Sequence, residues 1–499
     1  MSFVVSFLGF FVLVLNGYFY LSLFQSKGYR LKEGLLGVTT LILIDTISFV
    51  SAVVCSIVFE VVKYETSFFV GLVSMITAIF VGVLKVIKYS KLRAKFTARF
   101  KRLSLTYVAM ALTLTLLSCF IDKFLRSFGV ICNLSLILSI FALVLTYPIE
   151  KKINKKYIER CKEKLYSKKR MIIGITGSAG KTSVKEMLKV LLSPLGNVYA
   201  TPKSFNTPMG ICKAVAEMPV ETDIFIAEMG ARRKNDISEL LQIVHPDVGI
   251  LTSIAPQHLE TFGSINDIFK EKVKLLEASK RRFAGEKCKW SGGAFPENTV
   301  FFGESCLLGV EYKTTETKLS VLISNRQFKL TTKLLGSVNT ENLLLAMGVA
   351  MSLGVKVDDI FRLIPTINPP PHRLEHILTK NGVLIIDDSF NINPIGANSA
   401  LEVLRTAKGR RIVTCSGFVE QGTNLLQATK MLVDKITDCA DYLIILGSTN
   451  KKEIEREIRG RIDYSCVANI DECKNFYSKF LKSGDTLLIL ADIPMSYNL

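Results

Sequence analysis

The sequence predicts an α-helical transmembrane domain followed by two α/β domains, a central P-loop domain and a Rossmann-like C-terminal domain. Three observations carry this. The N-terminal 149 residues hold five apolar segments, each near the ~20 residues a helix needs to span hydrocarbon. After residue 170 the texture changes to short apolar runs alternating with helical patterns. Where that change begins, GITGSAGKTSVKEM over 174–187 joins an apolar run to a helical pattern through a glycine turn.

The apolar segments are residues 3–25, 35–59, 67–87, 104–121 and 127–148. No positive residues precede the first, so it does not read as a signal peptide. Basic residues collect after the first, third and fifth. Eight lie between Lys85 and Arg102 with no acid, and ten lie between Glu150 and Arg170 against three glutamates. The positive-inside rule then predicts a multi-pass protein of the cytoplasmic membrane, with the N-terminus outside and everything after the fifth segment in the cytoplasm. The formal net charge of +19 therefore belongs beside anionic lipid. Aromatic residues do not interleave these runs, which argues against nucleic acid as a partner. Asp45, inside the second segment, is a costly intramembrane carboxylate, read here as a packing residue over a functional one. The eleven cysteines form no C-x-x-C pair and no zinc spacing, so Cys55, Cys119, Cys132 and the others read as reduced thiols.

Residues 150–170 form a basic juxtamembrane linker, 171–378 the central domain and 379–499 the C-terminal domain. Met171–Thr176, Asp223–Glu228 and Val248–Ile254 read as buried parallel strands of the first, and Val383–Asp387, Arg411–Ser416, Tyr442–Leu446 and Thr486–Leu490 of the second. A strand-rich stretch occupies 299–335, and Pro369-Pro-Pro-His-Arg-Leu-Glu375 suits a hinge.

The usual phosphate loop is G-x-x-x-x-G-K-[ST], but here Ile175 occupies the first glycine position. The shorter loop Gly177-Ser178-Ala-Gly180-Lys181-Thr182-Ser183 still supplies the parts. Glycines let backbone N–H groups approach phosphate, and the helix start adds its positive end. Lys181 can neutralise β- and γ-phosphate charge, and the Thr182 hydroxyl suits Mg²⁺.

Four further stretches accompany this loop. They are Ala227-Glu228-Met-Gly230, Thr252-Ser-Ile-Ala-Pro-Gln-His258-Leu-Glu-Thr-Phe-Gly263, Lys270-Glu-Lys272-Val-Lys274 and Asp387-Asp388-Ser-Phe-Asn391-Ile-Asn393-Pro394. In order and spacing they resemble the Mur ligases, ATP-dependent amide-forming enzymes of peptidoglycan synthesis, over roughly residues 171–495. The likeness is greatest to the branch that adds D-alanyl-D-alanine.

The resemblance implies that Thr182, Glu228 and His258 organise two Mg²⁺ ions. It implies a carbamylated lysine at Lys272, with Lys270 as the alternative, and catalytic roles for Lys181, His258 and Lys272. It places ATP on Gly177, Ser178, Gly180, Lys181, Thr182, Ser183, Asn339, Asn342, Arg373 and Asp388. It places substrates near Asn206, Thr207, Asn391 and Asn393. His245, His372 and His376 read as satisfied structural histidines. Val338 replaces a usual histidine and Phe390 a usual tyrosine.

The family's UDP-sugar-binding domain is absent before the P-loop, so the expected acceptor is a carboxylate on an envelope or capsule precursor presented at the membrane, lipid-linked in the simplest reading. The expected amine donor is an amino acid or short peptide. Two alternatives stay open: the D-alanyl-D-alanine-adding step itself, or a non-catalytic ATP-binding regulator of a membrane partner.

Overall fold

The computed structural model describes residues 2–31, 35, 80, 94–118, 134–257, 259–390, 392–418, 425–448 and 450–491. The chain divides into two compact units, Met1–Lys156 and Tyr157–Leu499.

In the first unit, α1 (Ser2–Ser26), α2 (Ala98–Ser118) and the start of α3 (Ser135–Tyr166) share an apolar core. Leu13, Tyr20 and Phe24 of α1 meet Phe100, Leu103 and Tyr107 of α2 and Leu138 of α3. The Tyr107 hydroxyl donates to the Leu13 carbonyl at 2.7 Å, which satisfies a polar group that burial would otherwise penalise. Arg102 grips Glu150 with two N–H···O bonds of 2.6 and 3.0 Å. Among the described residues one helix, Ala98–Leu117, is long and apolar enough to cross a membrane, and Phe10–Ser26 is a shorter apolar helix. The expected segments 35–59 and 67–87, apart from single residues, lie outside the described residues. So do Asp45, Cys55, Cys119 and Cys132.

The stretch expected as a linker is helical as far as Tyr166, because α3 runs on through it. In the second unit Ile158, Cys161 and Leu165 of that helix pack on Ile172, Val215 and Phe225. Arg170, expected to face lipid with its basic neighbours, is buried instead. Its guanidinium donates to the carbonyls of Leu165 at 2.9 Å, Thr222 at 3.1 Å and Lys164 at 3.2 Å. A helix C-terminus leaves carbonyls unpaired, and this arginine closes them.

The larger unit has two six-stranded sheets. The first contains β1 (Met171–Thr176), β2 (Val198–Ala200), β3 (Ile224–Glu228), β4 (Val248–Leu251), β5 (Arg281–Gly285) and β6 (Thr299–Phe302), in the order β2-β3-β1-β4-β5-β6. Every pairing is parallel. Successive side chains point to opposite faces, so Ile173, Ile175, Ile224 and Ile226 enter one core while Ile172, Phe225 and Ala227 enter the other. Covered on both sides, these strands are continuously apolar. Helices α4 (Lys181–Leu191) and α9 (Gly336–Ser352) cover the first face. Helices α5 (Pro208–Glu217), α6 (Asp236–Leu241) and α8 (Ile265–Glu277) contribute to the second, with the short α7 (Leu259–Phe262) beside them.

A three-stranded antiparallel sheet follows, β7 (Leu307–Tyr312), β8 (Thr317–Ile323) and β9 (Arg326–Thr332), where the sequence is strand-rich. After α10 (Val357–Leu363) comes the last sheet, in the order β10-β11-β15-β12-β13-β14. Its members are β10 (Glu375–Leu378), β11 (Leu384–Asp388), β12 (Arg411–Cys415), β13 (Tyr442–Leu446), β14 (Tyr464–Val467) and β15 (Thr486–Leu490). Helices α11 (Pro394–Leu404), α12 (Leu425–Cys439), α13 (Lys451–Ile458) and α14 (Ile470–Phe480) accompany it. Only β10 is antiparallel, pairing Glu375 with Asp387. This sheet therefore begins before residue 379, ahead of the expected domain boundary.

Candidate active site

The strand order brings the first site together. β1 lies between β3 and β4, so the chain leaves β1 at a point where the connections diverge, the usual ligand crevice of an open α/β sheet. Ile175 is in register with Glu228 on one side and Ile250 on the other. The loops after β1, β3 and β4 therefore converge at one sheet edge.

The loop after β1 is tightly braced by the loop after β4. Ser178 N donates to Ser253 O at 2.8 Å, and Ser178 Oγ donates to Ala255 O at 3.1 Å. Gly180 has φ +81°, and a Cβ there would lie 2.3 Å from Asn342 Oδ1, so both conformation and space require glycine. Lys181 Nζ donates to Gly177 O at 2.7 Å and Ser178 O at 3.2 Å. Burial pushes its ammonium down to about 8, with Glu228 opposing that shift. Ser183 is buried in the first turn of α4.

Glu228, at the end of β3, is buried. Its Oε2 accepts the Thr182 hydroxyl at 2.9 Å, and its Oε1 accepts Asn206 Nδ2 at 3.1 Å. Arg373 reaches from the hinge to donate to Thr182 Oγ1 at 3.3 Å. The guanidinium lies 4.4 Å from the centre of the Phe390 ring, so phenylalanine there supports the arginine by a cation–π contact. Burial pushes Asp388 up to about 6, against the pull of Arg373.

Lys272, on α8, donates to Gly177 O at 3.0 Å, the carbonyl that Lys181 also contacts. It is 2 % exposed, whereas Lys270 is exposed, which separates the two lysines that the sequence left open. Burial, reinforced by Lys181, holds the Lys272 amine well below the usual lysine range. Between them Glu271 is also buried, accepting Asn235 N and Ile237 N at 2.8 Å each at the start of α6.

The remaining expected residues take varied positions. Asn342 is buried with its Nδ2 unpartnered, while Asn339 Nδ2 donates to Leu335 O at 3.0 Å within its own helix. Thr207 and Asn393 cap α5 and α11 through Gly210 N and Gly396 N, so their side chains serve helix starts in this structure. His258 and Asn391 lie outside the described residues. His372 is satisfied, with Nδ1 2.7 Å from Asp387 Oδ2. His376 is not: its Nδ1 is buried without a partner, and burial lowers its pKa. His245 stacks on Tyr166. Lys185, which the motif reading passed over, is fully buried beside Glu228. A lysine one turn into an amphipathic helix gives no sequence signal of burial.

The donor set fits Mg²⁺ and a nucleotide phosphate. Thr182 and Glu228 offer hard oxygens side by side, and the Asn342 amide beside the Gly180 turn lacks a partner. Fold and site together define a P-loop nucleotide-binding domain joined to a Rossmann-like domain.

The chain belongs to the Mur ligase family: residues 175–350 match the Mur ligase middle domain, and residues 372–492 match the Mur ligase, glutamate ligase domain. It is 26 % identical over 277 residues to the UDP-N-acetylmuramoyl-tripeptide–D-alanyl-D-alanine ligase of Escherichia coli (strain K12), covering 50 % of this chain and 58 % of that one. It is 30 % identical over 251 residues to the ligase of the same name from Mycobacterium tuberculosis (strain ATCC 25618 / H37Rv), covering 47 % and 48 %. The chain thus spans about half the length of these curated relatives. The crystal structure of MurF ligase from Thermotoga maritima in complex with ADP shares the fold with a TM-score of 0.58 and 24 % identity, covering 68 % of this chain and 80 % of that one.

Proposed function

We propose that this chain is an ATP-dependent acid–amine ligase that activates a carboxylate as an acyl phosphate. The observation that carries the reading is the convergence of Lys181, Thr182, Glu228, Lys272 and Arg373 on one P-loop. An acceptor carboxylate oxygen attacks the γ-phosphorus, and the bond to the ADP oxygen breaks. An amine nitrogen then attacks the acyl carbon, phosphate leaves with its oxygen, and the amine loses a proton. Lys181 and Arg373 would neutralise phosphoryl charge, and Thr182 and Glu228 would hold Mg²⁺. Bound there, the ion would supply further neutralisation of the transferring group.

A cavity of about 270 Å³ supports an amine site close to the phosphates. It is lined on one side by Pro256 and on the other by Pro394, Leu401, Phe418, Met431 and Lys435. Pro256 follows Ala255, whose carbonyl is bonded to Ser178 of the P-loop. An amino acid or short peptide held there would be near the reacting acyl group, and its carboxylate would meet the charge of Lys435, whose Nζ also donates to Asn398 Oδ1 of the same lining.

We further infer that residues 1–149 anchor the chain in the cytoplasmic membrane with the catalytic unit in the cytoplasm, and that the acceptor is an envelope precursor, lipid-linked at that surface. The apolar segments, their basic flanks and the apolar helix Ala98–Leu117 support this. The test is ADP release that requires Mg²⁺, acceptor and amine together and is abolished in Lys181→Ala. Undiminished release in that variant would refute the assignment.

A further inference from the structure

Lys185 lies three residues after Thr182, on the same face of α4, and its side chain is wholly buried. Burying an ammonium is costly unless every donor is used. Its Nζ donates to Thr201 O at 2.8 Å and to Lys203 O at 2.5 Å, and it lies 3.4 Å from Glu228 Oε2 and 3.3 Å from Glu186 Oε1. Two of its three N–H bonds go to those carbonyls, and both carboxylate oxygens lie within ion-pair distance.

Two consequences meet at Glu228. Its Oε2 sits between the Thr182 hydroxyl and the Lys185 ammonium, which fixes the carboxylate plane from one helix face. The second consequence runs through the backbone. Lys203 has φ +50°, in the left-handed region that non-glycine residues rarely occupy, and its carbonyl is the one Lys185 holds. That turn delivers Asn206, whose Nδ2 donates to Glu228 Oε1 and whose carbonyl accepts Gly230 N at 3.0 Å. The same ammonium therefore braces Glu228 directly and the loop that holds its other oxygen.

We infer that Lys185 is a positioning residue that couples the divalent-cation site to the Thr201–Asn206 loop. The inference rests on the reading of Glu228 as a metal ligand. Without Lys185, Glu228 keeps Thr182 but loses its nearest ammonium, and the Lys203 turn loses the donor that holds it. Cation affinity and loop order should fall together. Nucleotide binding without metal should persist, because Lys181 and the P-loop amides are untouched.

The experiment uses the whole chain, with Mn²⁺ as probe in the presence of ADP. Electron paramagnetic resonance gives the Mn²⁺ affinity, and hydrogen exchange gives the opening of residues 203–206. In Lys185→Met the Mn²⁺ dissociation constant should rise about 10-fold or more, the usual effect of losing a group that orients a metal ligand. Exchange in 203–206 should quicken in the same variant, while metal-free ADP binding stays within twofold. Should Lys185→Met not fold, Lys185→Gln decides alone, because it removes the charge and keeps a polar N–H donor on a slightly shorter stem. Mn²⁺ affinity within twofold of the parent in a folded variant overturns the inference. Failure of the parent to bind Mn²⁺ with ADP would instead overturn the functional reading beneath it.

Discussion

Thr182 Oγ1 donates to Glu228 Oε2 at 2.9 Å, joining the start of the P-loop helix to the end of the neighbouring parallel strand. The two oxygens are 46 residues apart in sequence and meet because β1 and β3 pair in register. Glu228→Gln keeps the volume and removes the charge that a divalent cation needs. Turnover should fall about 100-fold or more, the scale of losing a preorganised electrostatic group. Thr182→Ser keeps the hydroxyl and should retain most activity. Initial rates across a Mg²⁺ titration check both.

Lys181 gives a pH signature of nucleotide binding. Burial lowers its ammonium to about 8, so above that pH the unliganded site holds a neutral amine. Phosphate oxygens favour the charged form, and binding must then take up a proton. Uptake should be roughly 0.1 proton at pH 7 and roughly 0.9 at pH 9, from a titration centred near 8. Calorimetry of ADP binding in buffers of different ionisation enthalpy measures it, and Lys181→Met should abolish the rise.

Lys272 is held well below the usual lysine range by burial and by Lys181, a shift toward the neutral, nucleophilic amine. A neutral amine adds to CO₂, forming an N–C bond and releasing one proton, which leaves a carbamate anion. Lys272→Ala should be nearly inactive. Acetate could fill the vacated space and restore part of the rate, whereas chloride at equal ionic strength should not. Lys270 is exposed, and Lys270→Ala should stay within about 0.5 kcal/mol of parent behaviour. Wild-type rates from Lys272→Ala would remove the carbamate from the mechanism.

Asp388 is shifted in the opposite direction from a salt-bridged carboxylate. Burial raises it from 3.8 to about 6, so between those values the folded chain holds a proton that the unfolded chain has lost. Its contribution is fully present below 3.8 and is lost as pH rises through about 6, a change of about 3 kcal/mol. Asp388→Asn does not titrate. Its stability relative to the parent should therefore increase between pH 4 and pH 7, as read from urea unfolding. A pH-independent difference would contradict burial as the cause.

Much of this was legible because it is written in short local patterns. A glycine turn between a buried strand and a helix gave Lys181 and Thr182, and a strand-end carboxylate gave Glu228. Residues whose roles depend on distant partners were not legible. Lys185 carries no local signal of burial, and only the turn at Lys203, whose carbonyl it holds, reveals its setting. Arg170 reads as one more charge in a basic run, yet it closes a helix end. Phe390 reads as the loss of a hydroxyl, and only the hinge geometry shows the ring under Arg373. The last sheet begins ahead of residue 379 because β10 joins it antiparallel, through pairs that no local pattern announces.

The most direct test of the ligase reading follows the oxygen. The acceptor carboxyl is labelled with ¹⁸O in two probes, UDP-N-acetylmuramoyl-tripeptide and its lipid-linked counterpart, each with D-alanyl-D-alanine, Mg²⁺ and ATP. An acyl phosphate intermediate requires one labelled oxygen to leave with phosphate in each turnover. The expected products are an amide, ADP and phosphate carrying one ¹⁸O, with the lipid-linked probe the better acceptor. Release of AMP and pyrophosphate, or amide formed with unlabelled phosphate, would contradict the account.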